Sequence, residues 1–137
     1  MQVISQSEKY SKVTQDILVT VTPEFLAEKS SPSDSVYAYS YDVTFENLGT
    51  KSVQLVNRHW IVMSGGRQIA DVKGEGVVGE KPVLQPSETY FYNSWTLIRD
   101  EVGSMFGTYT FVDEDGQFFD VVIPEFHLIY TEQAFIH

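Results

Sequence analysis

Residues 57–86 hold the densest collection of groups suited to chemistry. Gly74-x-Gly76-x-x-Gly79 has the spacing of a dinucleotide fingerprint. In that fingerprint, glycines let the backbone approach a pyrophosphate at the N-terminus of a helix. Lys73, Lys81 and Arg58 flank the glycines and would supply positive charge. The helix is what is missing. Pro82 and Pro86 follow too soon for one, and Glu75 inside the loop repels phosphate. The dinucleotide reading therefore fails, but a weaker chemistry survives it. Successive N–H groups of a glycine turn form an anion nest. Gly74, Gly76 and Gly79, with Lys73, Arg58 and Lys81, are thus candidate contacts for pyrophosphate or a nucleotide polyphosphate. The competing reading, which the residue types favour, is that the glycines serve turn geometry and close packing against Trp60.

Arg58-His59-Trp60 suggests a base beside an anion clamp. A catalytic histidine needs a nucleophile and an orienting partner. The sequence places no serine, cysteine or carboxylate beside His59. On a strand, Arg58 and Trp60 share one face and His59 takes the other. No catalytic residue is therefore assigned, and Trp60 is expected in the core. His59, His127 and His137 lack ligand spacing. Asp113, Glu114 and Asp115 precede Gly116 and read as a hairpin tip, not a cation site. The chain has no cysteine, which removes disulfides, thiolate zinc sites and thiol nucleophiles together. Neither a metal nor a cofactor is expected.

The elements that would position these residues are strands. Alternation from Val13 through Ile17, Val19 and Val21 predicts one half-buried strand, stopped by Thr22-Pro23-Glu24. Residues 1–12 are polar and read as a loose arm. Residues 25–34 read as a loop with one helical turn. The cleanest period of two runs through Tyr37, Tyr39, Tyr41, Val43 and Phe45. Residues 52–63 form the next strand, but both parities are apolar at its end. Either both faces are covered or a bulge switches sides. Gly65-Gly66 suits a two-residue hairpin turn, with residues 67–73 returning. Further strands are expected at 88–95, 105–112 and 118–123. A crossover spans 96–103 and Asp115-Gly116 makes a hairpin. Pro124 breaks the next strand, and residues 126–130 add a short one. The tail 131–137 has no pattern. About seven to nine strands without an amphipathic helix argue an all-β, antiparallel sandwich. The tyrosine and phenylalanine rows fill the space between its sheets.

The 137 residues fit a single domain, with a core at about 13–130. The formal charge is −10, a field that repels nucleic acid and anionic membranes. Neither is expected as a partner. The chain contains no run of about 18 apolar residues and no basic-then-apolar leader, so a cytoplasmic location is expected. What remains is protein binding. Tyr90, Phe91, Tyr92, Trp95 and Phe106 are candidate anchors if exposed, and core residues if not. An edge strand offers a site for a protein partner or a homodimer.

Four motifs in order resemble the ApaG (CorD) family. They are Arg58-His59-Trp60-Ile61; Val72 to Glu80 followed by Pro82, Leu84 and Pro86; Gly103-x-Met105-x-Gly107-x-Tyr109; and Ile123-Pro124-x-Phe126-x-Leu128. The resemblance spans about residues 13–130. The tail 131–137 and the Gly65-Gly66 turn lie outside it. It implies a fibronectin type III or immunoglobulin-like sandwich, in agreement with the strand pattern. It also implies a non-catalytic binding module linked to cobalt resistance and magnesium efflux. Related eukaryotic domains, in an F-box protein and a polymerase-delta-interacting protein, look like protein-binding modules. Pyrophosphate binding at the glycine loop is the alternative implication.

Overall fold

The computed structural model describes residues 8–131. Expectations for residues 1–7 and 132–137, including His137, lie outside that span. Among the described residues, nine strands make two antiparallel sheets. They are β1 (Tyr10–Thr14), β2 (Ile17–Phe25), β3 (Tyr37–Asn47), β4 (Val53–Ser64), β5 (Arg67–Glu75), β6 (Val83–Leu84), β7 (Thr89–Ile98), β8 (Val102–Asp113) and β9 (Phe118–Ile129). One sheet has the order β1-β2-β3-β7; the other has β5-β4-β8-β9, with β6 added to the start of β4. This is the expected sandwich, of fibronectin type III-like arrangement. Two 3-10 turns, Ala27–Lys29 and Pro32–Asp34, fill the β2–β3 connection.

The core follows from the alternation. Tyr37, Tyr39, Tyr41, Val43 and Phe45 all point inward and are buried. They meet Trp60, Tyr109, Phe111 and Phe126 from the other sheet. Phe45 and Tyr109 pack edge to face at 4.7 Å, and Tyr41 lies 5.3 Å from Trp60. The ambiguity at the end of β4 resolves as a bulge between Leu55 and Asn57. It moves the buried set from Val53 and Leu55 to Trp60, Val62 and Ser64. Gly107 is where β8 presses closest on β4: a Cβ there would sit 1.9 Å from the His59 carbonyl oxygen.

Several expectations need correction. The run from Val13 to Val21 is a hairpin, not one strand. Gln15 and Asp16 form its turn with φ of 46° and 67°, and Tyr10 to Lys12 belong to β1. Neither turn residue is glycine, so the usual turn signal is absent. Pro23 does not stop β2, because β1 begins at Tyr10 opposite Val21 and leaves that edge free. The crossover shrinks to residues 99–101, since β7 runs to Ile98 and β8 starts at Val102. It is fastened by Ser64, whose hydroxyl donates to Asp100 at 2.7 Å and accepts from the Arg99 and Asp100 amides. Pro124 does not break β9. It sits in a bulge opposite Phe106, on a strand at the edge of its sheet, where its missing donor costs nothing.

Candidate functional site

The glycine segment is a pinned turn. Gly65 and Gly66, at φ 58° and 83°, close the β4–β5 hairpin as expected. β5 continues to Glu75, and Gly76, at φ 62°, then swings the chain back toward β4. The Gly76 amide donates to the Val56 carbonyl at 2.8 Å. Val77 and Glu80 exchange two backbone bonds of 2.8 Å around Val78 and Gly79, both at positive φ. The amides of Val77 and Glu80 are therefore already bonded inside the loop, and that of Gly76 to β4. Val77 is fully buried and anchors it to the core.

The cationic candidates take different places. Arg58 Nη1 donates to the carbonyls of Glu75 and Gly76, each at 2.9 Å. The loop thus turns carbonyls, not amides, toward this guanidinium. Lys81 pairs with Glu75 at 2.8 Å, and that contact holds the Glu75 carboxyl below its usual range. Lys73 lies opposite His59 on the outer face. Arg58, His59, Lys73 and Gly74 line a shallow cleft of about 480 Å³, with Thr108, Thr110 and Asp120 across from them. Lys81 and Gly79 are not in its lining.

His59 has the orienting partner that the sequence did not reveal. Its Nε2 lies 2.8 Å from Asp71 Oδ1. A regular two-residue hairpin would pair His59 with Val72 and put Asp71 on the opposite face. The extra residue, Ile69, between the Val62–Ala70 and Met63–Gln68 pairs shifts the register by one. That shift pairs His59 with Lys73 and brings Asp71 to the same face. Thr110 donates to Asp120 at 2.7 Å in the same cleft. At the β8–β9 tip, the Asp113 carboxylate accepts the amides of Asp115 and Gln117, and Asp115 pairs with Lys51. No group of three or more metal-ligating side chains occurs among the described residues.

A second concave surface lies where the sandwich opens between β5 and β7. It is a groove of about 360 Å³. Trp60, Tyr41 and Tyr92 form its floor, Val72 and Val78 one rim, and Trp95 the other. The two edge strands that flank it are not paired with each other. The opposite flank is closed, since the Val122 amide of β9 donates to Thr14 Oγ1 of β1. Of the five aromatic candidates, Phe91 and Trp95 are exposed at 58% and 53%, on the outer side of β7. Tyr92 is buried; Tyr90 and Phe106 are partly so. Inside the groove floor, the Tyr92 and Tyr109 hydroxyls bond each other. Burial pushes both phenols up from their ordinary pKa. The sequence held the side chains of this groove but no sign of which strands would be neighbours.

A family model described as the ApaG domain matches residues 27–113, well over half of the chain. The chain belongs to the ApaG family. The match runs from before β3 to the end of β8, so it contains the glycine loop, the β5–β7 groove and the His59 cleft apart from Asp120, which lies on β9. Protein ApaG of Paramagnetospirillum magneticum is 46% identical over 119 residues, 87% of this chain and 92% of that one. Protein ApaG of Thiobacillus denitrificans is 42% identical over 125 residues, 91% of this chain and 94% of that one. The crystal structure of a Bordetella pertussis protein described as ApaA superposes with a TM-score of 0.82. It is 40% identical, and the match covers 85% of this chain and 95% of that chain. The overall fold is therefore shared with a protein solved by crystallography.

Proposed function

We propose that this ApaG protein is a non-catalytic protein-binding module that uses the flank carrying β7. One observation carries the reading: Phe91 and Trp95 stand exposed on an edge strand that contains no charged residue. Large aromatics are the side chains that dominate interface hot spots, and a folded monomer gains little by exposing them. The groove beside them supplies a concave surface that continues the apolar patch inward. The test is a photo-crosslinking amino acid placed at Phe91, with a control at Val122 on the far sheet. Adducts of reproducible mass formed in cells at position 91 and absent at 122 are the expected result. Equal labelling at both positions, or none at 91, overturns the reading.

A second reading keeps a small anion at the His59 cleft. Its support is that Arg58, His59 and Lys73 all line one concavity, Arg58 lining the β5–β7 groove as well, and that Arg58 spends only Nη1 on the loop. Calorimetry with pyrophosphate on wild type and on Lys73→Ala decides it. Heat from wild type that falls in the variant supports the cleft; no heat from wild type removes it.

A further inference from the structure

The four sheet edges of this molecule differ in one respect. Natural sheets guard their edges against pairing with charge, proline, bulges or short length. β1 has five residues and carries Lys12. β5 has a bulge at Ile69 and carries Arg67, Asp71, Lys73 and Glu75. β9 has Pro124 in a bulge, and β1 lies against it. β7 has none of these. Its ten residues, Thr-Tyr-Phe-Tyr-Asn-Ser-Trp-Thr-Leu-Ile, contain no charge, proline or glycine. Its pairing with β3 is unbroken from Thr89 to Ile98. Among the described residues, the far side of β7 has no strand partner.

We infer that β7 is a strand-addition edge that takes an extended polypeptide segment, apolar at alternate positions and basic at the others. The inference rests on the reading of this flank as a protein-binding surface and adds the mode and the partner's chemistry. A strand added to β7 lies over the mouth of the β5–β7 groove. Every second side chain then points into the groove, between Val72 and Val78 on one wall and Ser94 and Thr96 on the other, above the floor that Tyr92 helps form. Those positions require apolar side chains. A second copy of this chain does not meet that requirement through its own β7. Its inward residues Tyr92, Ser94 and Thr96 are already turned into its own sandwich.

On its other face the added strand lies in an acidic field, with carboxylates one strand further in and beyond both ends of β7. Asp42 and Glu46 lie opposite Asn93 and Thr89 on β3. Glu88 precedes the strand and Glu101 follows it. Of the nearby cations, Lys29 is occupied over the Trp95 ring at 5.5 Å, and Arg99, directly after β7, is outnumbered by the adjoining Asp100 and Glu101. With a whole-chain charge of −10, this field draws a basic segment and repels a second copy of the same acidic chain.

The probe is a synthetic peptide as long as β7 in which valine and lysine alternate. One control has the same composition with valines and lysines in two blocks; another replaces lysine by glutamate. Amide hydrogen exchange and Trp95 emission are the readouts on the full chain. The expected result is slowed exchange at alternate β7 amides, with both controls weaker by about tenfold or more. Trp95→Lys, read by amide exchange alone, adds a charge guard at an exposed position, leaves the thermal midpoint in place and weakens the alternating peptide by a similar factor. Unchanged β7 exchange at saturating peptide overturns the inference, as does equal binding of the block peptide. Protection of β7 that grows with protein concentration alone makes a second copy the occupant and also overturns it. Cross-links at position 91 with β7 exchange unchanged would leave the binding surface standing and remove only the strand-addition mode.

Discussion

The three glycines of Gly74-x-Gly76-x-x-Gly79 should respond very differently to alanine. A phosphate cradle needs all three for backbone approach, whereas this loop asks something different of each. Gly76 has φ 62°, and a Cβ there would lie 2.2 Å from the Glu80 carbonyl oxygen. The left-handed conformation costs an L-residue about 1–2 kcal/mol. Relieving the clash opens the Val77–Glu80 bridge, two bonds at about 1 kcal/mol each. Gly76→Ala is therefore destabilised by about 3 kcal/mol. Gly79 has φ 79° but nothing within 4 Å of its Cβ position, so only the conformational cost of about 1 kcal/mol remains. At Gly74 the Cβ would meet the end of the flexible Arg58 side chain at 2.8 Å. Displacing that guanidinium loses its two loop bonds, about 1 kcal/mol after resolvation. With a slope of about 1–3 kcal/mol per molar urea, Gly76→Ala lowers the unfolding midpoint by about 1 M or more. The other two variants lower it by less than half of that. Equal losses in all three, or a Gly76→Ala midpoint indistinguishable from wild type, would refute the conformational account.

Two further predictions concern the groove floor. Tyr92→Phe strands the fully buried Tyr109 hydroxyl and costs about 1–3 kcal/mol, and Tyr109→Phe costs a similar amount. The double replacement removes both polar ends together, so urea unfolding should show a coupling of about 1 kcal/mol or more; strict additivity contradicts the bond. Alkaline stability tests the same pair. Their folded pKa values are raised, chiefly by burial, while the unfolded phenol titrates near about 10. Above that pH the unfolded chain releases protons that the folded chain retains. Stability is thus complete below pH ~10 and falls above it, by about 1.4 kcal/mol per pH unit for each tyrosine. Denaturant midpoints at rising pH measure this fall. Tyr92→Phe should flatten it, and an identical slope in wild type and variant refutes the assignment.

What was legible in the sequence followed from local pattern. The Tyr37–Phe45 row could only be a strand with an aromatic inner face, because its alternation was unbroken. Gly65-Gly66 announced its turn because positive φ at two successive positions favours glycine. Failures came where tertiary context overrode local chemistry. Gln15 and Asp16 take left-handed conformations without glycine, held by strand pairs on either side. Pro23 and Pro124 look like breakers but occupy an open edge and a bulge. The site suffered most from one such irregularity. A single extra residue at Ile69 decides whether Asp71 faces His59, and nothing in the local sequence distinguishes the two registers.

The same loop that resembles a nucleotide fingerprint also builds the groove. Gly76 turns the chain so that Val77 enters the core and Val78, 67% exposed, forms part of the groove wall. Arg58 ties that turn to β4 by gripping its carbonyls, and Lys81 braces Glu75 from the far side. A substitution at Gly76 therefore perturbs partner binding through the wall as well as stability through the turn. Loss of function in such a variant is no sign of a bound phosphate. The separating variant is Val78→Ser, whose residue is exposed and which leaves every loop hydrogen bond in place. Weaker partner binding at unchanged stability assigns the loop to the groove. Unchanged partner binding, with cross-links still forming at Phe91, confines the contact surface to the outer face of β7.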